Sequence, residues 1–383
     1  MRRASRSALM WPEEASAVQE SGRRLTELRS VGPFTAHFIA EWLRAAPEPP
    51  VPPPLRHGFI TYAQARVVLE AHPEWREAAR ADHQMHTDET DGSSTIEEMA
   101  AAAAEIGRER IAITDHSKTL RITNGMDEAR LVAQGEHIAA IKARGSEIAV
   151  LRGIEMDLTP EGAGDMDPER LAELDLVLGA FHSKLRLRDD QSDRYVRGLE
   201  NPDIQVLAHP RGRIYNFRVG LSCDWQRVAR RAAETGTALE IDSYPDRQDL
   251  DIERLRIIAA EGAWVSIGTD AHTPSELVFL DIGIAAAILA GVPRDHILNV
   301  LSAPELAERV GLIRATKKGH SNEGSTIWQG VSASASTRRR GRRADPASSD
   351  VWAGVDSVPI RPAPGAASLR TSGSKPRTPR RKG

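Results

Sequence analysis

Histidines and acids recur at the ends of short apolar runs along this 383-residue chain. The series opens with Asp82-His83-Gln84-Met85-His86-Thr87 and reaches Asp91-Gly92. It continues with Ile111-Ala112-Ile113-Thr114-Asp115-His116, Gly153-Ile154-Glu155 and Ala180-Phe181-His182-Ser183. Leu207-Ala208-His209-Pro210 and Ile267-Gly268-Thr269-Asp270-Ala271-His272 complete it. In an extended segment Gln84 and His86 point to the same face, because the side-chain period is two. Imidazole nitrogen and carboxylate oxygen are the ligands of zinc, manganese and iron. Taken singly, His116 or His209 reads as a satisfied core or surface histidine, and Asp115 as a helix N-cap. Six strand ends that all finish in His, Asp or Glu are not a by-product of folding, since buried charges need partners. His86, Asp91, His116, Glu155, His182, His209, Asp270 and His272 are therefore the expected metal ligands. Clustered divalent ions acidify water and offset the charge of an in-line displacement at phosphorus, so phosphoester hydrolysis is the matching chemistry. Glu155 is the natural bridging carboxylate, and Asp270 is a candidate to handle the proton. Lys184, Arg211 and Arg213 follow strand-end ligands and are candidate phosphate contacts, although each is equally compatible with ordinary surface charge.

The elements that must position these residues alternate. Ile111–Thr114, Ala149–Leu151, Leu176–Ala180, Ile204–Ala208, Ala238–Ile241 and Trp264–Ile267 read as strands, separated by longer amphipathic segments. That alternation predicts a parallel α/β architecture with ligands in the loops at the strands' carboxyl ends. Six or seven β/α units in about 230 residues favour a barrel. One helix is marked by Ser94-Thr95-Ile96-Glu97, a capping box ahead of an alanine-rich stretch. Residues 1–20 show little pattern and are expected to be disordered. Residues 21–50 read as a helix, a tight turn at Val31-Gly32-Pro33, and a second helix with Ala36, Ile39 and Leu43 inward. A Pro-rich linker and a helix fill 51–80, the main domain 81–312, and a basic disordered tail 313–383.

Composition bounds the rest. A 40% apolar and 27% charged chain can bury a sizeable core. The net charge of −3 is uneven: from Ile313 onward 15 basic residues face 4 acidic ones. A single cysteine, Cys223, excludes a disulfide framework and Cys-rich zinc modules and fits a reducing compartment. It has no His or acid motif beside it and reads as structural. No signal peptide or 18-residue apolar run is present, which predicts a cytoplasmic protein without membrane partners. There is no G-x-S-x-G motif, P-loop or repeat of 20–50 residues. Trp11, Trp42, Trp75 and Trp225 are expected in helix cores.

The ordered motifs D-x-[HQ]-x-H-[ST], T-D-H-S, G-x-E, F-H-S, A-H-P and T-D-A-H, spread over residues 81–312, resemble the PHP (polymerase and histidinol phosphatase) domain. Within that superfamily the chain is most similar to the PHP domain attached to bacterial family X DNA polymerases. Gln84-Met85-His86-Thr87, Asp91-Gly92, Asp115-His116-Ser117-Lys118, Asn124-Gly125-Met126 and Glu240-Ile241-Asp242 with Asp249-Leu250-Asp251 carry that likeness. The resemblance implies a distorted (β/α)7 TIM-like barrel and a centre of three divalent ions (manganese or zinc, with iron also compatible). By position it implies nine ligand places: Gln84, His86, Asp91, His116, Glu155, His182, His209, Asp270 and His272. Gln84 stands where many PHP domains carry histidine, and Asp242 where the family-X-like branch usually has asparagine.

Leu28-x-x-Val31-Gly32-Pro33-x-x-Ala36-x-x-Ile39 resembles a helix-hairpin-helix, whose turn N–H groups meet nucleic-acid phosphate as any helix N-terminus does. Val31, Gly32 and Pro33 are the candidate DNA contacts; packing of the pair against the barrel is the other reading. With about 24 residues ahead of the hairpin, the nucleotidyltransferase palm of a family X polymerase is not expected here. The arginine-rich tail could track phosphates or serve only as a solubilising end. The leading expectation is a hydrolase of phosphoesters at DNA ends, as a 3′-5′ exonuclease, a 3′-phosphatase or an abasic-site nuclease. A histidinol-phosphatase-like enzyme for small phosphomonoesters and an inactive scaffold in DNA repair are the alternatives. Metal identity and oligomeric state are left open by the sequence.

Overall fold

The computed structural model describes residues 2–328. Seven strands form one parallel sheet in sequential order: β1 Ala81–Asp82, β2 Arg110–Ile113, β3 Ala149–Asp157, β4 Leu176–Ala180, β5 Val206–Ala208, β6 Ala238–Asp242 and β7 Val265–Gly268. Registers such as Glu155↔Leu178 and Ile241↔Ile267 run through the sheet. β4 and β6 are buried at every position, as strands covered on both faces must be. The segments beyond β1 and β7 then meet: Asp270 N donates to Gln84 O (3.0 Å) and His86 N to Ala271 O (2.8 Å). Asn299 bridges the same seam, donating to Ala81 O (2.8 Å) and Ile267 O (2.7 Å) and accepting from Ile267 N (2.7 Å). The sheet is thereby curled into a nearly closed TIM-like barrel, as the alternation of elements predicts.

Helices fill the connections. They are numbered in chain order: α1 Arg2–Ser7, α2 Ala15–Glu20, α3 Pro33–Ala45, α4 Tyr62–Ala71 and α5 Pro73–Ala78 before the barrel. Around it lie α6 Ile96–Glu105, α7 Glu128–Ala143, α8 Pro168–Leu171, α9 Ser192–Glu200, α10 Trp225–Thr235, α11 Ile252–Ala260, α12 Leu280–Ala290 and α13 Ala303–Trp328. The cap of α6 sits one residue later than the sequence reading placed it. Glu98 N donates to Thr95 Oγ1 (3.2 Å) while Thr95 N donates to Glu98 Oε2 (3.0 Å). That shift turns Ile96, Met99, Ala100 and Ala103 inward and frees Glu97 to meet His137. α10 starts at Asp224, which accepts from two backbone N–H groups, and stops at Gly236 with φ +74°. No helix of the described residues is long and apolar enough to cross a membrane.

Three expectations are corrected. Residues 2–20 are not patternless: Trp11 and Val18 are buried with Leu25, Leu28 and Val31, and Trp11 Nε1 donates to Arg29 O (3.0 Å). A few apolar side chains among many charged ones suffice for this small core, and composition hides them. The first helix of the supposed hairpin is only a 3-10 turn, Leu25–Glu27, whereas the second is α3 with Gly32 as N-cap and Pro33 at its first turn. Ordered structure also runs past Leu312, because α13 continues and buries Ile313 and Lys317 against the barrel. The arginine run at 338–343 lies outside the described residues. Trp11 and Trp225 occupy cores as expected, but Trp42 is 43% exposed on α3.

Candidate metal centre

Glu155 is the hub. It ends in the barrel mouth on β3, fully buried, with imidazoles around both carboxylate oxygens. Oε1 lies 2.7 Å from His209 Nε2 and 3.0 Å from His182 Nε2. Oε2 lies 3.3 Å from His86 Nε2 and 3.5 Å from His116 Nδ1, and it accepts a bond from Gln84 Nε2 (3.1 Å). Asp270 Oδ1 approaches His86 Nε2 to 3.0 Å. Asp91, at the rim, stands 3.6 Å from His116 and 3.5 Å from His272. All nine sequence-expected ligand positions thus converge. Three overlapping groups have ligand atoms within 4.8 Å of one another: His86–Asp91–His116–His272, His116–Glu155–His182 and His86–Glu155–Asp270.

Local structure explains the convergence. Asp82 accepts from Thr269 N (3.0 Å) and Thr269 Oγ1 (2.7 Å), clamping β1 to the loop that carries Asp270. Asp115 faces away from the centre and accepts from Thr87 N, Thr87 Oγ1, Thr90 Oγ1 and Gln134 Nε2, fixing the loop between His86 and Asp91. His209 is held in left-handed backbone, φ +25°, by Glu240, which accepts from its N–H (2.7 Å). Buried Tyr195 secures the same turn through Pro210 O (2.6 Å). Asp270 is also left-handed, φ +52°. Such backbone is uncommon for residues with a side chain and clusters at functional sites. Gly268 makes room beneath them: a Cβ there would sit 2.5 Å from Glu240 Oε1 and 2.6 Å from Gln84 Cβ.

Two ring orientations are set from behind. His182 Nδ1 lies 3.1 Å from Asp157 Oδ1, and His272 Nδ1 lies 2.8 Å from Asp270 O, so each turns Nε2 toward the carboxylates. Asp157 was legible in principle, since it follows Glu155 by two and shares its strand face. Against the cost of burial, the imidazoles of His116, His209 and His182 hold Glu155 well below the usual carboxylate range. Burial opposes charge on His182, but Asp157 and Glu155 push it up to about 9. Burial lowers His116. The cluster therefore concentrates negative charge beside imidazoles.

The donor set fits divalent cations on its own evidence. His86 is fully buried, yet neither ring nitrogen makes a hydrogen bond. His116 Nδ1 and Gln84 Oε1 are also buried without a hydrogen bond. A buried polar atom left unsatisfied costs about 1–3 kcal/mol, so this many in one place calls for a common partner. Divalent cations in these groups would give partners to one His86 nitrogen, to His116 Nδ1 and to Gln84 Oε1.

Above the cluster is a pocket of about 300 Å³, bordered by Asp91, His116, Glu155, His182, His209, Asp270 and His272. Arg213, Arg218 and Arg247 also line it, as do Leu120, Ile122 and Thr123. Arg247 rests its guanidinium on Asp270. Neither Arg218 nor Arg247 belongs to a motif, and nothing in the sequence singles them out. Two expected phosphate contacts are displaced. Lys184 is exposed and does not border the pocket. Arg211 is buried, paired with Asp251 and donating to Val219 O (3.0 Å), so it braces the loop instead of facing the pocket. Arg213 does reach the pocket, although Asp251 (3.0 Å), Gly58 O and the face of Phe59 (3.8 Å) hold it. Cys223 is half-buried, its thiol pushed up by burial, and packs against the main core.

Known proteins resemble this chain in sequence. A model of the PHP domain matches residues 82–240. The DNA polymerase/3′-5′ exonuclease PolX of Bacillus subtilis is 32% identical over 277 residues, which are 71% of this chain and 46% of that protein. The chain thus spans about half the length of that relative. A probable phosphatase of Syntrophotalea carbinolica is 30% identical, covering 54% of this chain and 85% of its own. One from Edwardsiella ictaluri is 27% identical, covering 57% and 89%. Histidinol phosphate phosphatase of Lactococcus lactis, solved with zinc, L-histidinol and phosphate, aligns at 14% identity over 56% of this chain and 95% of its own, with a TM-score of 0.40. With its ligand-bearing strand ends in order and a phosphatase relative matched along most of its length, the chain belongs to the PHP domain family of metal-dependent phosphoesterases.

Proposed function

We propose that this protein hydrolyses phosphate esters at DNA ends, as a 3′-5′ exonuclease or 3′-phosphatase, with three divalent ions (manganese or zinc) held by Gln84, His86, Asp91, His116, Glu155, His182, His209, Asp270 and His272. One observation carries the reading: the carboxylate–imidazole cluster opens onto a pocket that Arg213, Arg218 and Arg247 also line, so expected metal ligands and cations border the same space. Ions bound there would acidify water and offset the charge of the phosphate. The chain's own residues have separate tasks. Arg218 and Arg247 face the space where a phosphate would lie and attract it by charge-assisted hydrogen bonds. Asp157 fixes the ring of His182, and Glu155 gathers four imidazoles. Leu120 and Ile122 keep one side of the pocket apolar.

The DNA component draws on the relative named as a polymerase and 3′-5′ exonuclease. The exposed Gly32 and Pro33 that open α3, beside Val31, would meet a backbone phosphate, and the basic tail would add charge. Hydrolysis of a small phosphomonoester is the second reading, favoured by the relatives named as probable phosphatases. A cytoplasmic location fits either substrate.

Purified protein incubated with manganese and, in parallel, 3′-labelled DNA and a small phosphomonoester separates the readings, with the His86→Ala/Asp270→Ala protein as contaminant control. Metal-dependent DNA cleavage absent from the control supports the nuclease. Turnover of the small ester alone moves the function to a metabolite phosphatase, and silence on both makes a scaffold the better account.

A further inference from the structure

The loop after the His209 turn separates two cavities. An antiparallel bridge joins Ile214 and Arg218, with Ile214 N donating to Arg218 O (2.8 Å), so the intervening residues form a narrow finger. The finger is tied at its tip, where Tyr215 N donates to Asp246 O (2.7 Å) and Asn216 N to Leu55 O (2.9 Å). Ile214 and Arg218 border the metal pocket, while Ile214, Tyr215 and Phe217 border a second cavity of about 790 Å³. The turn opposite repeats the division: Tyr244–Asp246 border the second cavity and Arg247 the first.

The walls of the second cavity are unusual for a protein with only 4% aromatic residues. Tyr215, Phe217, Tyr244 and Phe279 all line it, and Phe217 is 56% exposed. Guanidinium groups accompany the rings: Arg186 lies 4.7 Å from the centre of Phe217, and Arg56, hydrogen-bonded to Asn216 Oδ1 (2.6 Å), lies 5.9 Å from that of Tyr215. The acids nearby are Asp246, on the lining, and Glu276, which accepts from Tyr244 Oη (2.8 Å). Aromatic faces beside guanidinium groups are what binds unpaired bases and the phosphates between them. A base pair inside a duplex has no free face to offer such rings, and a small phosphomonoester seated in the metal pocket would not span the finger.

We propose that this second cavity holds unpaired nucleotides of single-stranded DNA next to the phosphate being cleaved, with Phe217 as a stacking surface. The inference rests on the phosphoesterase reading above and assigns its substrate: the end must be frayed or single-stranded to reach the centre.

The test uses the full chain and fluorescence anisotropy with two 5′-fluorescein probes, a twelve-residue oligothymidylate and an abasic oligomer of equal length and charge. The basic tail contributes alike to both, so their ratio isolates the bases. Oligothymidylate is expected to bind about 5- to 30-fold tighter than the abasic probe, in line with base–aromatic stacking. Phe217→Leu, which keeps apolar bulk, should abolish that preference, and Phe217→Trp should retain it. Equal binding of the two probes by the unaltered protein, preference surviving in Phe217→Leu, or tighter binding of a duplex of the same length would each overturn the proposal. Manganese-dependent turnover of p-nitrophenyl phosphate by the unaltered protein keeps the two inferences apart. Turnover without base preference sinks the groove alone, whereas base preference without turnover of any ester leaves the groove standing and sinks the phosphoesterase reading.

Discussion

Asp251 offers a quantitative test of how the pocket wall is built. Its buried carboxylate accepts from Arg254 N (3.2 Å) as the N-cap of α11 and pairs with Arg211 and Arg213. Side-chain exposure is 3% for Asp251, 8% for Arg211 and 4% for Arg213, so solvent screens this cluster weakly. Breaking a buried ion pair by removing one partner costs about 3–5 kcal/mol, because the charge left behind stays buried. Buried Asp249 also faces both guanidinium groups, which points to the lower end of that range. Asparagine caps a helix as well as aspartate, so Asp251→Asn isolates the charge and should lose about 3 kcal/mol. Asp251→Ala also forfeits the cap, worth about 1 kcal/mol, and should lose about 4. Urea unfolding followed by circular dichroism gives both values. A loss below about 1 kcal/mol in Asp251→Asn would mean that Arg211 and Arg213 are not held by this carboxylate, and would reopen Arg211 as a phosphate contact.

Other consequences can be measured separately. Arg247 rests on Asp270 and faces the pocket, so Arg247→Met should tighten manganese binding in calorimetry while raising KM for a phosphate ester roughly 10-fold; a matched fall in both would contradict this. His182 is held protonated up to about pH 9 by Asp157 and Glu155, and its proton must leave for coordination. Metal affinity should therefore rise with pH by up to about tenfold per unit between pH 6 and 9, flattening in Asp157→Asn, and a flat profile in the unaltered protein would refute the assignment. Burial lowers Lys317 to about 7, although it donates to Asn201 O (2.8 Å) and Ile204 O (2.7 Å). The unfolded chain then binds more protons above pH 7, so stability gains from this residue as pH rises from about 7 toward 10. Lys317→Met should remove that slope in denaturant titrations at pH 7 and 9, and an unchanged slope would place the ammonium in solvent.

The centre was legible in sequence because its chemistry is local to each strand end. Ligands that must sit at the carboxyl ends of parallel strands follow apolar runs directly, and His116, Glu155, His182 and His209 could be read one motif at a time. The strands were legible for the same reason: β4 is a five-residue apolar run buried at every position. What escaped depends on distance in sequence. Arg218 and Arg247 reach the pocket only because the finger and the Tyr244–Gln248 turn fold over it, and neither has a pattern of its own. Arg211 looked free because Asp251, 40 residues away, is silent in a linear reading. The N-terminal core was missed because Trp11, Val18 and Leu25 are widely spaced among polar residues, so that no period betrays them.

The central claim is that nine converging residues form a metal centre that hydrolyses phosphate esters. Its most direct test pairs metal analysis by mass spectrometry with manganese-dependent hydrolysis of p-nitrophenyl phosphate, in the unaltered protein and in Glu155→Gln. Glu155 stands within 3.5 Å of His86, His116, His182 and His209. The neutral amide should therefore lower the bound metal and reduce the rate by at least about 100-fold, with little change in the circular dichroism spectrum. Full metal content and full activity in a folded Glu155→Gln protein would contradict the account.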